Sequence, residues 1–271
     1  MTAFVFIGCG TAVTFGTGFS NPYITTNDPA ERILSIIQVT GSWGVTTALA
    51  FGLGIAACIF SVAHISGGAL NPAVSIALFV TGNQGPIQAI ANICAQIVGA
   101  ILAAAFIKGM VPDEVTSNLG ANNIAKGVGV GNAFIGEAVM TFVLLMVVLF
   151  TAVNQYSPIK SMAPLAIGLA VYSAHAVLLP VDGCSINPAR SLGPAIVSGD
   201  FDSGKFWVYV VGPITGALVA SAFHLFFETD MDTINIVRSG SQTMIDTLKE
   251  ENPEDAAADA DAAAAASDKH V

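Results

Sequence analysis

The chain has 271 residues, 54% of them hydrophobic and only 10% charged, with a formal net charge of −10 and a mean hydropathy of +0.71. That is too apolar for a water-soluble domain of this length, so most of the chain is expected to lie in lipid. No nucleic-acid partner is expected of a chain with this acidic balance.

Residues 1–19 are apolar but short for a span, and no basic residue precedes the apolar run, which separates them from a cleavable signal. They are expected to be the end of a first spanning helix, part of which precedes Met1. Five further stretches, 44–64, 86–107, 133–153, 161–181 and 206–227, are each long enough for the about 20 residues that cross a hydrocarbon core of about 30 Å. Between the first two of these lies Asn71-Pro72-Ala73, and between the last two the tripeptide recurs as Asn187-Pro188-Ala189, 116 positions later. Each suits a helix start, with Asn as N-cap, Pro at the first helical position where its missing N–H does no harm, and a good helix former next. The apolar run from Pro72 to about Thr81 would be roughly 15 Å long as a helix, half of the hydrocarbon core, and the run from Pro188 to about Val197 matches it.

The interval of 116 also lays Leu49, Ala50, Gly52, Leu53, Gly67 and Ser75 onto Leu165, Ala166, Gly168, Leu169, Gly183 and Ser191. One residue out of register, Gly99, Ala100 and Phe106 fall on Gly216, Ala217 and Phe223. A duplicated membrane unit of this kind points to a channel or transporter whose site lies where the repeats meet. Two half-spanning helices from inverted repeats would enter from opposite faces, and their N-termini, each equivalent to roughly +0.5 charge, would converge near the midplane and repel cations.

Beyond the last span the composition changes. From Glu228 onward there are eleven acidic residues against Arg238, Lys249 and Lys269, so residues 228–271 are expected to be an acidic, largely disordered tail, and residues 1–227 the membrane domain with halves at about 1–125 and 126–227. Lys160, Arg238 and Lys249 favour a cytoplasmic side for the adjoining segments and for the C-terminus. The cysteines Cys9, Cys58, Cys94 and Cys184 have neither metal-ligand spacing nor a disulfide framework. No Ser-His-Asp set, phosphate-binding glycine loop or paired-carboxylate site suggests an enzyme, and no cofactor or metal is implied.

The segments SGGALNPAV (66–74) and GCSINPARS (183–191) resemble the two signature loops of the aquaporin, or major intrinsic protein, family, and the likeness extends over about residues 1–227, through AFGLGIA (50–56), SVAHISG (61–67) and VGPITGA (211–217). The resemblance implies an all-α membrane fold of six tilted spans plus two re-entrant half-helices, one pore per subunit, and a homotetramer in a plasma or organelle membrane. It also implies a constriction at four positions located by offset from the tripeptides: Phe51, His175, Cys184 and Arg190. This set is the one associated with strict water channels. A glycerol pore usually has glycine at the His175 position and aspartate where this chain has Ser191. By the same resemblance Glu137 would buttress the second re-entrant loop by accepting backbone N–H groups. His64 is expected to serve the first loop, as a supporting residue, or the cytoplasmic vestibule.

Chemistry favours the same reading. Phe51 and His175 would narrow the path to about one water, and Arg190 and His175 would donate hydrogen bonds that replace bulk hydration. A lone Phe in a span is ordinarily packing, and Cys184 could be packing as well. His175 and Arg190 at membrane depth are hard to explain unless they face water. His224, near the end of the last span, is expected at the interface. Water would then pass in single file, turned at the midplane by the amides of Asn71 and Asn187, with carbonyls of Gly67, Gly68, Ala69, Gly183 and Ser185 accepting hydrogen bonds along the path. One departure concerns the positions before Val211-Gly212-Pro213: water-selective members usually carry an aromatic pair there, and this chain has Tyr209 and Val210. It admits some permeability to small neutral solutes such as hydrogen peroxide or ammonia. Two other classes remain open: a junctional membrane protein with a nearly closed pore, and a secondary transporter with broken helices. The transporter would be expected to show paired membrane carboxylates, and Glu137 is the only carboxylate well inside a predicted span.

Overall fold

The computed structural model describes residues 1–16, 29–111 and 118–251. Eight α-helices follow in order: α1 (Thr2–Gly16), α2 (Pro29–Ser66), α3 (Pro72–Val80), α4 (Pro86–Met110), α5 (Val130–Val147), α6 (Ala163–Asp182), α7 (Pro188–Ser198) and α8 (Val208–Glu251). Among the described residues there is no β-strand. Among the described residues, five segments are long and apolar enough to cross a membrane: Trp43–Ser66, Pro86–Met110, Val130–Val153, Lys160–Asp182 and Val208–Glu228. The shorter apolar helix Thr2–Thr14 opens the chain. α3 and α7 have nine and eleven residues, too short to span.

The chain divides into two compact units, Met1–His224 and Leu225–Val271. In the first unit, α2 and α6 cross where each carries a glycine. A Cβ on Gly52 would fall 2.7 Å from the Gly168 carbonyl oxygen, and one on Gly168 would fall 2.6 Å from that of Gly52. These two glycines are the pair superposed by the 116-residue repeat, so the repeats meet at equivalent backbone positions. Small residues serve the same purpose elsewhere, because helices in lipid gain from close backbone approach rather than from excluding water. Gly193 of α7 rests on Ala100 of α4, and Gly212 and Gly216 of α8 lie against Glu137 and Ala138 of α5.

Three features depart from the sequence expectations. α5 ends in a π-helical turn, Val148–Val153, whose wider winding puts Val148, Ala152 and Val153 on an internal cavity. Residues 228–251, expected to be disordered, continue α8 as helix; the rest of the acidic tail, 252–271, lies outside the described residues. His224, expected at the interface, is fully buried, with Phe150 edge-on at 5.1 Å. At the start of the chain, residues 17–19 of the predicted first segment also lie outside the described residues.

Candidate permeation site

Both tripeptides start helices, as their residue types demand. Asn71 (φ −155°, ψ 125°) and Asn187 (φ −158°, ψ 102°) are extended N-caps followed by proline at the first helical position. The side-chain oxygen of Asn71 accepts from Ala73 N at 2.9 Å, and that of Asn187 accepts from Ala189 N at 3.1 Å and Arg190 N at 3.2 Å. The amide nitrogens cross over. Asn71 Nδ2 donates to Ile186 O at 2.7 Å, and Asn187 Nδ2 donates to Leu70 O at 3.0 Å. Each Asn therefore ties its own helix to the residue preceding the other Asn, which brings the two helix N-termini together. An amide carries two hydrogens, so each retains one for another acceptor.

The loops before the two caps are held from outside. Glu137 of α5 accepts from Ser185 N and Ile186 N, both at 2.6 Å, one bond to each carboxylate oxygen. These bonds stabilise Cys184 (φ 55°) and Ile186 (φ 46°) in the left-handed region that non-glycine residues rarely adopt. On the first loop the corresponding support comes from Gln96 of α4, whose amide donates to Ala69 O and, at 3.0 Å, to Ser75 Oγ. His64, expected to serve the first loop or the cytoplasmic vestibule, is exposed near the end of α2.

On one side of the asparagine pair lies a cavity of about 470 Å³, lined by Gly67, Gly68, Ala69 and Leu70 of the first loop and by apolar side chains of α1, α2, α5 and α6, with Asn83 and Lys160 also on its wall. Gly183 and Ser185, expected to line the same path, are not on this cavity. Gly183 O accepts from Arg190 Nη2 at 3.3 Å, and Ser185 Oγ, near Asn187 O and Tyr209 O, belongs to a buried polar network.

The four positions located by offset are all buried, and three of them, Phe51, His175 and Arg190, meet. The Phe51 and His175 rings stack with centroids 4.0 Å apart and an interplanar angle of 21°, and the Arg190 guanidinium carbon lies 4.9 Å from the Phe51 centroid. Cys184 is fully buried and follows Gly183, whose carbonyl accepts from Arg190 Nη2. A spacing of 4.0 Å is ring contact, so no water fits between the two faces. His175 Nδ1 lies 2.8 Å from Val171 O. A carbonyl can only accept, so Nδ1 carries the hydrogen, and in a neutral imidazole Nε2 is then an acceptor. That reverses the donor role expected of His175. Arg190 supplies the donors: Nη1 bonds Gly120 O at 2.7 Å, Nη2 bonds Gly183 O, and buried Nε has no partner among the described residues.

A family model described as major intrinsic protein matches residues 1–224. The chain belongs to the major intrinsic protein family. Aquaporin-1 of Rattus norvegicus is 38% identical over 226 residues, 83% of this chain and 78% of the relative. Aquaporin-5 of Ovis aries is 35% identical over 224 residues, 82% of this chain and 76% of the relative. Among solved structures, the aquaglyceroporin from Plasmodium falciparum shares the fold with a TM-score of 0.65, covering 82% of this chain and 90% of its own at 23% identity. The chain is thus a multi-pass membrane channel of the aquaporin kind.

Sequence reasoning missed several residues of this major intrinsic protein. Asp182, the last residue of α6 and just beyond the predicted span 161–181, is fully buried. Its Oδ1 accepts from Cys184 N at 3.0 Å, and its backbone oxygen accepts from Asn122 Nδ2 at 3.1 Å and Asn123 N at 3.2 Å. The segment 118–125 is thereby strapped over the second loop, which places the Gly120 carbonyl under Arg190. Ser191 Oγ sits between Asn122 Oδ1 (2.7 Å) and Ser185 Oγ (2.6 Å), and Tyr209 OH donates to Asp202 Oδ2 at 3.0 Å, which gives both residues structural occupations. The motif offsets gave no signal for Gly120, Asn122 or Asp182, because each is defined by a contact distant in sequence.

Proposed function

We propose that this channel passes water in single file and excludes protons and ions. The observation that carries the reading is the crossed asparagine pair: two half-helix N-termini meet, and each capping Asn has one N–H committed to the opposite loop and one free for a passing oxygen. A water that accepts from both amides has its hydrogens turned away along the path, which breaks the donor chain a proton would follow. The two helix ends, each about +0.5 charge, and Arg190 add an electrostatic barrier to cations.

Phe51, His175, Cys184 and Arg190 form the selectivity filter in this reading. Arg190 donates and His175 Nε2 accepts, so a water entering the filter exchanges bulk hydrogen bonds for fixed ones, whereas a longer solute must also displace the Phe51 ring. Gly67, Gly68 and Ala69 line the approach. Large apolar side chains such as Leu53, Ile87, Val98, Phe106 and Ile135 are exposed on the described surface, which fits contact with lipid and with other subunits of a homotetramer.

The 4.0 Å contact between Phe51 and His175 favours a second reading, a junctional protein of very low conductance. Stopped-flow light scattering on proteoliposomes separates the two. Fast shrinkage in an impermeant osmolyte without re-swelling in glycerol is expected. Rapid glycerol entry would refute the water selectivity, and shrinkage no faster than empty liposomes would favour the low-conductance reading.

A further inference from the structure

Four residues define the filter by offset, and none of them lies on α1. The Phe51 ring nevertheless rests directly on that helix. A Cβ built on Gly8 would fall 2.3 Å from Phe51 Cδ1 and Cε1 and 2.6 Å from Cζ, so one edge of the ring occupies the space a side chain at position 8 would need. The ring cannot yield cheaply. His175 is stacked at 4.0 Å, the Arg190 guanidinium carbon is 4.9 Å from the centroid, and Phe4, one turn before Gly8 on α1, meets the ring edge-on at 5.7 Å and 72°. Phe51 itself is 0% exposed. Gly10, two positions away on the same helix, is different: a Cβ there would meet only Ile107 Cγ1 at 3.9 Å, an ordinary contact.

We propose that Gly8 is a positioning residue of the filter: by lacking a side chain it admits the edge of the Phe51 ring, and so sets where that ring stands relative to His175 and Arg190. A methyl group at position 8 would push the ring off α1 towards two of the groups that bound the path, since close-packed interiors relax overfilling only by moving neighbours. The filter then narrows, although no filter residue has been changed.

The inference rests on the water-channel reading, and its test keeps the two apart. Wild type, Gly8→Ala, Gly10→Ala, Phe51→Ala and Gly8→Ala/Phe51→Ala are reconstituted at equal protein, and water shrinkage and glycerol re-swelling are both recorded. Gly8→Ala is expected to lower water permeability roughly fivefold or more. Gly10→Ala should match wild type. In the Phe51→Ala background Gly8→Ala should have no further effect on either solute, because the ring that reads position 8 is gone. A general packing defect in α1 would not be erased by removing one ring. Equal permeabilities of Gly8→Ala and wild type would overturn the inference, as would a Gly8→Ala defect that persists without Phe51 or a Gly10→Ala defect of the same size. If Gly8→Ala alone does not reconstitute, the double variant decides: a conducting channel supports the inference and a non-conducting one overturns it. A wild type that conducts no water refutes the underlying reading instead.

Discussion

Glu137→Gln is nearly isosteric and addresses one pair of bonds. In the wild type each carboxylate oxygen accepts one buried backbone N–H, from Ser185 and from Ile186, at 2.6 Å. Glutamine can keep one of these bonds through its oxygen, but its NH2 group then faces the other N–H, donor against donor. Leaving a buried donor unsatisfied costs about 1–3 kcal/mol, and converting the surviving bond from charge-assisted to neutral costs about 1 kcal/mol more, so about 2–4 kcal/mol is at stake. The loss falls on a loop in which Cys184 and Ile186 have positive φ, and the Ile186 carbonyl is the acceptor of Asn71 Nδ2. The effect therefore reaches the asparagine pair. Thermal unfolding in detergent should show a midpoint several degrees below wild type, and stopped-flow scattering at equal protein should show reduced water permeability. Glu137→Ala, which removes both acceptors, should be worse on both counts. If Glu137→Gln and Glu137→Ala match wild type in unfolding and in permeability, the two bonds do not hold the loop and the argument fails.

Asn187→Ala removes the acceptor of two capping bonds and the cross-bond to Leu70; the cap alone is worth about 0.5–2 kcal/mol. Water flow should fall and proton leak rise, as read by a pH dye trapped in the vesicles, and an unchanged leak would count against the proton barrier. Arg190→Ala should admit glycerol, seen as re-swelling, while Arg190→Lys, which cannot reach Gly120 O and Gly183 O together with a planar fork, should be only partly selective. A mercurial should slow water flow through wild type and not through Cys184→Ser, whereas Cys94→Ser, which alters an exposed cysteine, should leave the block intact. A block that survives Cys184→Ser would remove Cys184 from the path. Gly168→Leu should prevent assembly, judged by size-exclusion chromatography, because even a Cβ there would fall 2.6 Å from the Gly52 carbonyl oxygen.

Much of this architecture was legible in the chain because it depends on local chemistry. Hydropathy marked the five long spans, since any backbone that crosses lipid must satisfy itself as helix, and Asn followed by Pro marked the two helix starts, since capping is settled within three residues. The repeat of 116 positions paired Gly52 with Gly168 before their contact was known. Other features depended on groups brought together from distant parts of the chain. The stacking of Phe51 on His175, the seat that Gly8 provides for that ring, the Gln96 support of the first loop and the strap that sets Gly120 under Arg190 are distances between helices, and composition carries no record of them. The tautomer of His175 belongs here too. The residue type permits donation or acceptance at Nε2, and the position of the Val171 carbonyl selects acceptance. Sequence by itself determined which residues could reach membrane depth, because desolvation selects by residue type. Tertiary structure decided what each does there, because a hydrogen bond or a ring contact exists only at a particular distance and angle.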